Sequence, residues 1–151
     1  MNKILLSFGV MGVLAYCVPA MPTNAISISN NCNSTIQPYA AGLIYSYDLS
    51  VSSLNGMLAI SGKTVSSDTM KSIGYKDIEI QRSSDGINWS KEKDLTDLLN
   101  SNTNKYTLNY YTVSVKGGYY YRVSCKHYAK ESGLFGSSQS VSNTSNSVWI
   151  D

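Results

Sequence analysis

The sequence predicts an all-β fold: one antiparallel two-sheet sandwich of about seven strands, following a cleaved signal peptide. Three observations predict it. Long stretches alternate apolar and polar residues with a period of two, the pattern of strands with one face in the core and one in water. Turn-forming pairs, Asn55-Gly56, Asp85-Gly86 and Gly117-Gly118, separate these stretches at short intervals. Tyr, Thr and Val are dense from Lys105 to Tyr128, and such residues suit a pleated, half-buried surface.

The 151 residues suit one domain. The first 25 or so read as a leader rather than as structure. Lys3 supplies a positive start, Ile4 to Val18 an apolar run, and Thr23-Asn24-Ala25 a small-x-small cleavage site, with Val18-Pro19-Ala20 as a second candidate. The competing readings are an uncleaved anchor and a lipoprotein. The run of about 15 residues is short for a bilayer span, which takes roughly 20. Tyr16 stands before Cys17, where a lipoprotein needs a small residue. Residues 26–40 are a polar lead-in and 41–151 the sandwich. The expected destination is outside the cell. No later apolar run is long enough for a membrane, so no membrane contact is expected once the leader is gone.

The strands follow in order. Leu43, Tyr45, Tyr47, Leu49 and Val51 alternate with mostly polar residues and form the first. Asn55-Gly56 predicts a type I′ hairpin, which needs positive φ at both central residues. Met57 to Val65 returns with Leu58 and Ile60 on one face, and Gly62 marks a bulge or a close backbone approach. Ser66 to Ser72 reads as a polar loop. Tyr75 to Arg82 has Ile78 and Ile80 inward, and Ser83-Ser84-Asp85-Gly86 turns the chain into Ile87 to Lys93, where Trp89 is placed to cap a core edge. Leu95, Leu98 and Leu99 lie at helical spacing behind Asp94, an N-cap residue type, and predict one or two helical turns. Lys105 to Val115 is a strand with Tyr111, Val113 and Val115 inward. After Gly117-Gly118, Tyr119 to Tyr128 puts Tyr121, Val123 and Cys125 on one face and Tyr120, Arg122, Ser124, Lys126 and Tyr128 on the other. A loop around Gly133 and Gly136 leads to a last strand, Ser138 to Ile150. Strands in this number and spacing predict a sandwich of immunoglobulin or fibronectin type III kind, with a flattened barrel as the alternative.

Two segments carry a family resemblance: Ile78-Glu79-Ile80-Gln81-Arg82-Ser83-Ser84-Asp85-Gly86-Ile87-Asn88-Trp89, and Lys116-Gly117-Gly118-Tyr119-Tyr120-Tyr121-Arg122-Val123 continuing to His127-Tyr128-Ala129. With Ile60-Ser61-Gly62-Lys63-Thr64 and Ile73-Gly74, the chain from about Met57 to Ile150 resembles a domain-of-unknown-function family of small secreted proteins of Firmicutes. The resemblance implies export and a compact β fold, and it implies no activity. The first segment also resembles fibronectin type III hairpins of bacterial surface proteins. It departs from the sialidase Asp-box, because Asp85 and Gly86 are adjacent. The cysteines are not part of the family pattern.

Composition narrows the chemistry. The net charge is +2. Lys105, Lys116, Arg122, Lys126 and Lys130 follow one another with no acid until Glu131, either as a solvated strand face or as a surface for an anionic wall polymer or glycan. Nucleic acid calls for a denser basic patch and is not expected. Of three cysteines, Cys17 leaves with the leader. Cys32 and Cys125 either pair, closing a loop of about 90 residues, or are simply buried. His127 is the single histidine. It shares a strand face with Cys125 at a spacing too wide for proton transfer, so neither a triad nor a Cys-His dyad is expected, and a hydrogen-bonded structural role is. One histidine and two distant cysteines do not make a zinc site. Asp94 and Asp97 lack the spaced oxygens of a calcium loop. No carboxylate pair suits glycoside hydrolysis, and Gly117-Gly118 lacks a phosphate loop's context. No cofactor, no metal and no enzymatic activity are expected.

Tyrosine stands out, with twelve against two phenylalanines. Tyr120, Arg122, Lys126 and Tyr128 are the candidate binding residues, a stacking and cationic platform; the other reading of the same residues is cross-strand pairing that stabilises the sheet. The expected role is a secreted, non-enzymatic protein that binds a cell-wall polymer, a glycan or an extracellular protein. A secreted antimicrobial or toxin-like protein is the alternative, and a hydrolase the third reading.

Overall fold

Every strand in the structure pairs antiparallel with its neighbours, and alternation decides which face of each is buried. The structure is a computed structural model that describes residues 42–151. The expected leader, the lead-in and Cys32 lie outside the described residues. Among the described residues there are nine strands and no helix: β1 (Ile44–Leu54), β2 (Met57–Met70), β3 (Ser72–Ser83), β4 (Ser90–Leu95), β5 (Leu98–Asn100), β6 (Thr103–Val113), β7 (Tyr119–Lys130), β8 (Ser138–Thr144) and β9 (Val148–Ile150). One sheet has the order β1-β2-β6. The other has the order β4-β3-β7-β8, with β5 also on β3 and β9 also on β7. The all-β sandwich that the alternation predicts is the fold observed.

The β1–β2 hairpin turns where expected. Asn55 and Gly56 have φ of 52° and 73°, the double positive φ of a type I′ turn, and Leu54 pairs with Met57 across it. Beyond it the sequence reading needs several corrections, three of them in the order of the chain up to β6. The first concerns Ser66 to Ser72, read as a loop: β2 runs on to Met70, and Lys71 alone separates it from β3. Ser66 is buried there, with its hydroxyl 2.7 Å from the Asp68 carbonyl and 3.1 Å from that of Asn104, so its polarity is satisfied inside the sheet.

The second correction concerns Leu95, Leu98 and Leu99. They form no helical turn. Leu95 ends β4, and β5 lays Leu98 opposite Tyr75 and Leu99 opposite Gly74. Leu95 and Leu98 pack on the core as expected of their spacing. A strand broken at Thr96-Asp97 meets that spacing as well as a helix does, and only the strand also satisfies the β3 backbone. The Asp97 carboxylate accepts the Asp77 N–H at 3.1 Å and holds this break against β3. The third correction concerns Tyr111, expected inward. Ile60 pairs with Tyr111 but Gly62 pairs with Leu108, so β6 carries an extra residue. Tyr110, at φ 52°, is the bulge, and it shifts the alternation so that Leu108 joins Val113 on the buried face; Tyr111, opposite Ile60, lies on that same face but is left 38% exposed on the edge strand instead of buried.

The interior has two apolar clusters. The larger holds Leu58, Ile60, Tyr75, Ile80, Tyr121, Val123, Cys125 and Ile150, among others; the smaller holds Ile44, Met70, Ile73 and Ala129. A buried polar pair, Thr64 and His127, lies on the strands that carry both clusters. The turn before β7 is fixed from within, because Tyr121, fully buried, donates its hydroxyl hydrogen to the Lys116 carbonyl at 2.7 Å. This is the tyrosine-corner arrangement found where a sandwich chain enters such a strand. The open edge of β1 is closed by side chains from across the gap. The Ile44 N–H donates to Gln139 Oε1 at 2.9 Å. Asn146 takes both polar groups of Val51, accepting its N–H and donating to its carbonyl, each at 2.9 Å. An unpaired edge is thereby given partners without a further strand. Among the described residues no buried side-chain nitrogen or oxygen lacks a partner.

Candidate functional site on the outer face of the larger sheet

Strand alternation sends Tyr120, Arg122, Ser124, Lys126 and Tyr128 outward from β7, opposite the buried Tyr121, Val123, Cys125 and His127. The four candidate binding residues therefore share one face, as the sequence indicates. Their neighbours divide them into two patches.

The first patch surrounds Tyr120 and Arg122. Register places Trp149 of β9 opposite Tyr120, and the rings meet edge to face with centroids 4.9 Å apart. On the β3 side Gln81 lies opposite Arg122, and the Arg122 Nε–H donates to Gln81 Oε1 at 2.7 Å. Gln81 in turn donates to Glu79 at 2.6 Å. The Arg122 guanidinium lies 4.3 Å from the centroid of Trp89, a cation–π contact. Trp89, expected to cap a core edge, is half-buried on this outer face instead. The reason is Asp85. Its carboxylate accepts the backbone N–H groups of Ile87 (2.9 Å) and Asn88 (2.8 Å), the Ser83 hydroxyl (2.7 Å) and the Asn88 amide (2.7 Å), and these bonds fold the loop that delivers Trp89. They also hold the Asp85 carboxyl well below the usual carboxylate range.

The second patch surrounds Lys126 and Tyr128. Lys126 pairs with Asp77 at 2.8 Å, which raises the lysine pKa and lowers that of the aspartate. Lys76 lies 4.6 Å from the Tyr128 ring centroid and 3.6 Å from Asp97. Positive charge here is met by carboxylates of the same sheet. Arg122, by contrast, enters none of the ion pairs among the described residues. Arg122 and Lys126, four residues apart along a strand, are separated by roughly 13 Å. Only the first patch combines exposed aromatic surface with a cation that has no carboxylate on it.

Sequence reasoning missed Trp149, Trp89 and Gln81. For Trp149 the available signal is alternation alone: next to the buried Ile150 on a strand, its side chain faces out. Its pairing with Tyr120 depends on register, which alternation leaves open.

The other sequence-derived candidates lie inside. His127 is fully buried. Its Nδ1 is 2.7 Å from Thr64 Oγ1, its Nε2 is 3.3 Å from the Asn143 amide nitrogen, and the Tyr47 and Tyr75 rings flank it at 4.8 and 4.9 Å. Thr64 also donates to the Gly74 carbonyl at 3.2 Å. With that hydroxyl hydrogen used and Asn143 donating, the neutral ring carries its proton on Nδ1. Burial pushes its pKa from 6.5 down to about 4. Cys125 is buried in the larger cluster, and burial pushes its thiol up to about 12, so no thiolate nucleophile forms at neutral pH. Its candidate disulfide partner, Cys32, lies outside the described residues. Among the described residues no group of three or more His, Cys, Asp or Glu side chains is placed to hold a metal.

Comparison of the chain with protein-family models, with curated proteins and with solved structures finds no match.

Proposed function

We propose that the protein is a non-enzymatic binding module, acting outside the cell, that presents the Trp149–Tyr120–Arg122–Trp89 patch to a cell-wall or other extracellular glycan. The observation that carries this reading is the grouping of the chain's two tryptophans with Tyr120 around one arginine on a single sheet face. Sugar rings stack their C–H faces on aromatic rings and offer hydroxyls to charged and amide groups. Trp149 is 42% exposed and supplies the open ring. Arg122 and Gln81 supply the polar groups. Sheet backbone fixes Trp149, Tyr120, Arg122 and Gln81, and the Asp85-braced loop holds Trp89, so little ordering entropy is lost on binding. A sealed-in His127 and a protonated Cys125 support a role without covalent catalysis.

Retention of the protein on isolated cell-wall polymer and on glycan arrays tests the reading. Trp149→Ala, or Tyr120→Ala with Arg122→Ala, is expected to weaken retention roughly tenfold, the loss of about 1.4 kcal/mol of stacking and polar contact. Unchanged retention in both variants overturns the proposed patch. Lys126→Ala is expected to have little effect, because Asp77 already occupies that charge.

A further inference from the structure

The loop between β7 and β8 presents the most exposed apolar groups among the described residues. Leu134 is 94% exposed and Phe135 is 95% exposed. Water-facing apolar residues are ordinary when scattered, but two large adjacent ones, clear of their own fold, form a patch of the kind that is often functional on a monomer. The loop carrying them is built. The Glu131 N–H donates to the Ser137 carbonyl at 2.9 Å, and the Ser137 N–H returns to the Glu131 carboxylate at 3.0 Å, closing the base. Gly133 takes φ of 104°. A Cβ on Gly136 would lie 2.7 Å from the Glu131 carbonyl oxygen, so the chain passes there only as glycine. Leu134 and Phe135 thus form the tip of a short braced finger.

The surroundings of the finger bear on what it meets. Lys130 ends β7 at the base of the loop, opposite Ser72, and Lys71 occupies the adjoining turn between β2 and β3. Neither lysine enters an ion pair among the described residues. Glu131 keeps its charge but turns it into the loop base, where it accepts the Ser137 N–H, and Asp68 on β2 is a second acid beside Ser137 and Ser138. The finger itself has no Tyr, Trp or Arg, the residues that anchor protein interfaces. Two exposed side chains offer little of the roughly 800 Å² per partner that a stable protein complex buries. A lipid surface needs no matching shape. It takes apolar side chains below its headgroups and attracts cations at their level. We infer that the Leu134–Phe135 finger docks the protein on an anionic lipid surface, with Lys71 and Lys130 at headgroup level. A two-residue apolar tip escapes the run-length criterion on which no membrane contact is expected. This inference does not depend on the glycan patch.

Fluorescence tests it in the full chain, where the apolar run at the N-terminus is common to every arm. Phe135→Trp, made in Trp89→Phe with Trp149→Phe, reports from the tip alone. With vesicles of phosphatidylglycerol and phosphatidylcholine its indole emission is expected to shift to the blue and to be quenched by brominated acyl chains. Lys71→Ser with Lys130→Ser should reduce the vesicle affinity severalfold, as should a change to pure phosphatidylcholine. In sedimentation with the anionic vesicles, Leu134→Ser with Phe135→Ser should lower binding at least tenfold relative to the unaltered chain. An indole that stays in water with every vesicle overturns the inference. So does self-association of the chain that Phe135→Ser abolishes while vesicles leave the indole untouched, which makes the finger a protein contact.

Discussion

His127 shows how one buried side chain sets a pH limit on the fold. The ring is neutral in the folded state because burial holds its pKa near 4, whereas in the unfolded chain it titrates near 6.5. Between those values the unfolded state binds more protons, so stability falls as the pH is lowered through that window and is regained on returning above it. The loss is on the order of 3 kcal/mol when the window has been crossed. The carboxylates with lowered pKa, Asp77 and Asp85, give up their stabilisation only below the ordinary carboxylate value of 3.8, so the higher window belongs to the histidine. Urea midpoints between pH 7 and pH 4 should therefore decline in the unaltered protein and stay nearly level in His127→Gln. Equal slopes in the two would mean that the ring is hydrated or already charged. The sequence disclosed the inward face of His127 through its spacing from Cys125. It did not disclose Thr64, Tyr47 or Asn143, which come from three other strands.

At the scale of the element, a strand reads well from sequence where local periodicity and tertiary pairing agree. They agree over β7, where Tyr121, Val123 and Cys125 are inward as expected, and over the Asn55-Gly56 hairpin. They part at bulges and breaks, whose causes are contacts distant in sequence. Tyr110 donates its N–H to the Ser61 hydroxyl at 3.2 Å across 49 positions, and the break after β4 is pinned by Asp97 on Asp77. Ser138 to Ile150, read as one strand, is interrupted at Ser145–Ser147 because Asn146 turns away to serve β1. Asn146 supplies backbone-like partners to a strand edge 95 positions away. Removing it leaves the N–H and carbonyl of Val51 without protein partners. Asn146→Ala should lower stability by about 1–2 kcal/mol, seen as a lower urea midpoint with an unchanged slope. An unaltered midpoint would show that water replaces the amide at no cost and that the edge needs no clamp.

At the scale of the whole molecule, β7 joins everything described above. Tyr120 and Arg122 near its start carry the aromatic patch, His127 and Ala129 line the interior further along, and Lys130 at its end leads into the finger. Ten residues of strand separate Tyr120 from Lys130, roughly 33 Å at about 3.3 Å per residue. That distance is several Debye lengths at physiological salt, which are about 8 Å each, and the two surfaces share no side chain. Changes at such separated sites add. Phe135→Ser should leave retention on wall polymer unchanged, Trp149→Ala should leave vesicle binding unchanged, and the variant with both substitutions should show the two losses side by side. Coupling above about 0.5 kcal/mol in that cycle, on either readout, would mean that the two ends of the sandwich report to each other or touch the same partner. Independence has a consequence of its own. A protein whose two ends engage a polymer and a lipid surface at once holds each end near its target at a raised effective concentration. With both proposals holding, a weak patch and a two-residue finger together retain the molecule far better than either does alone.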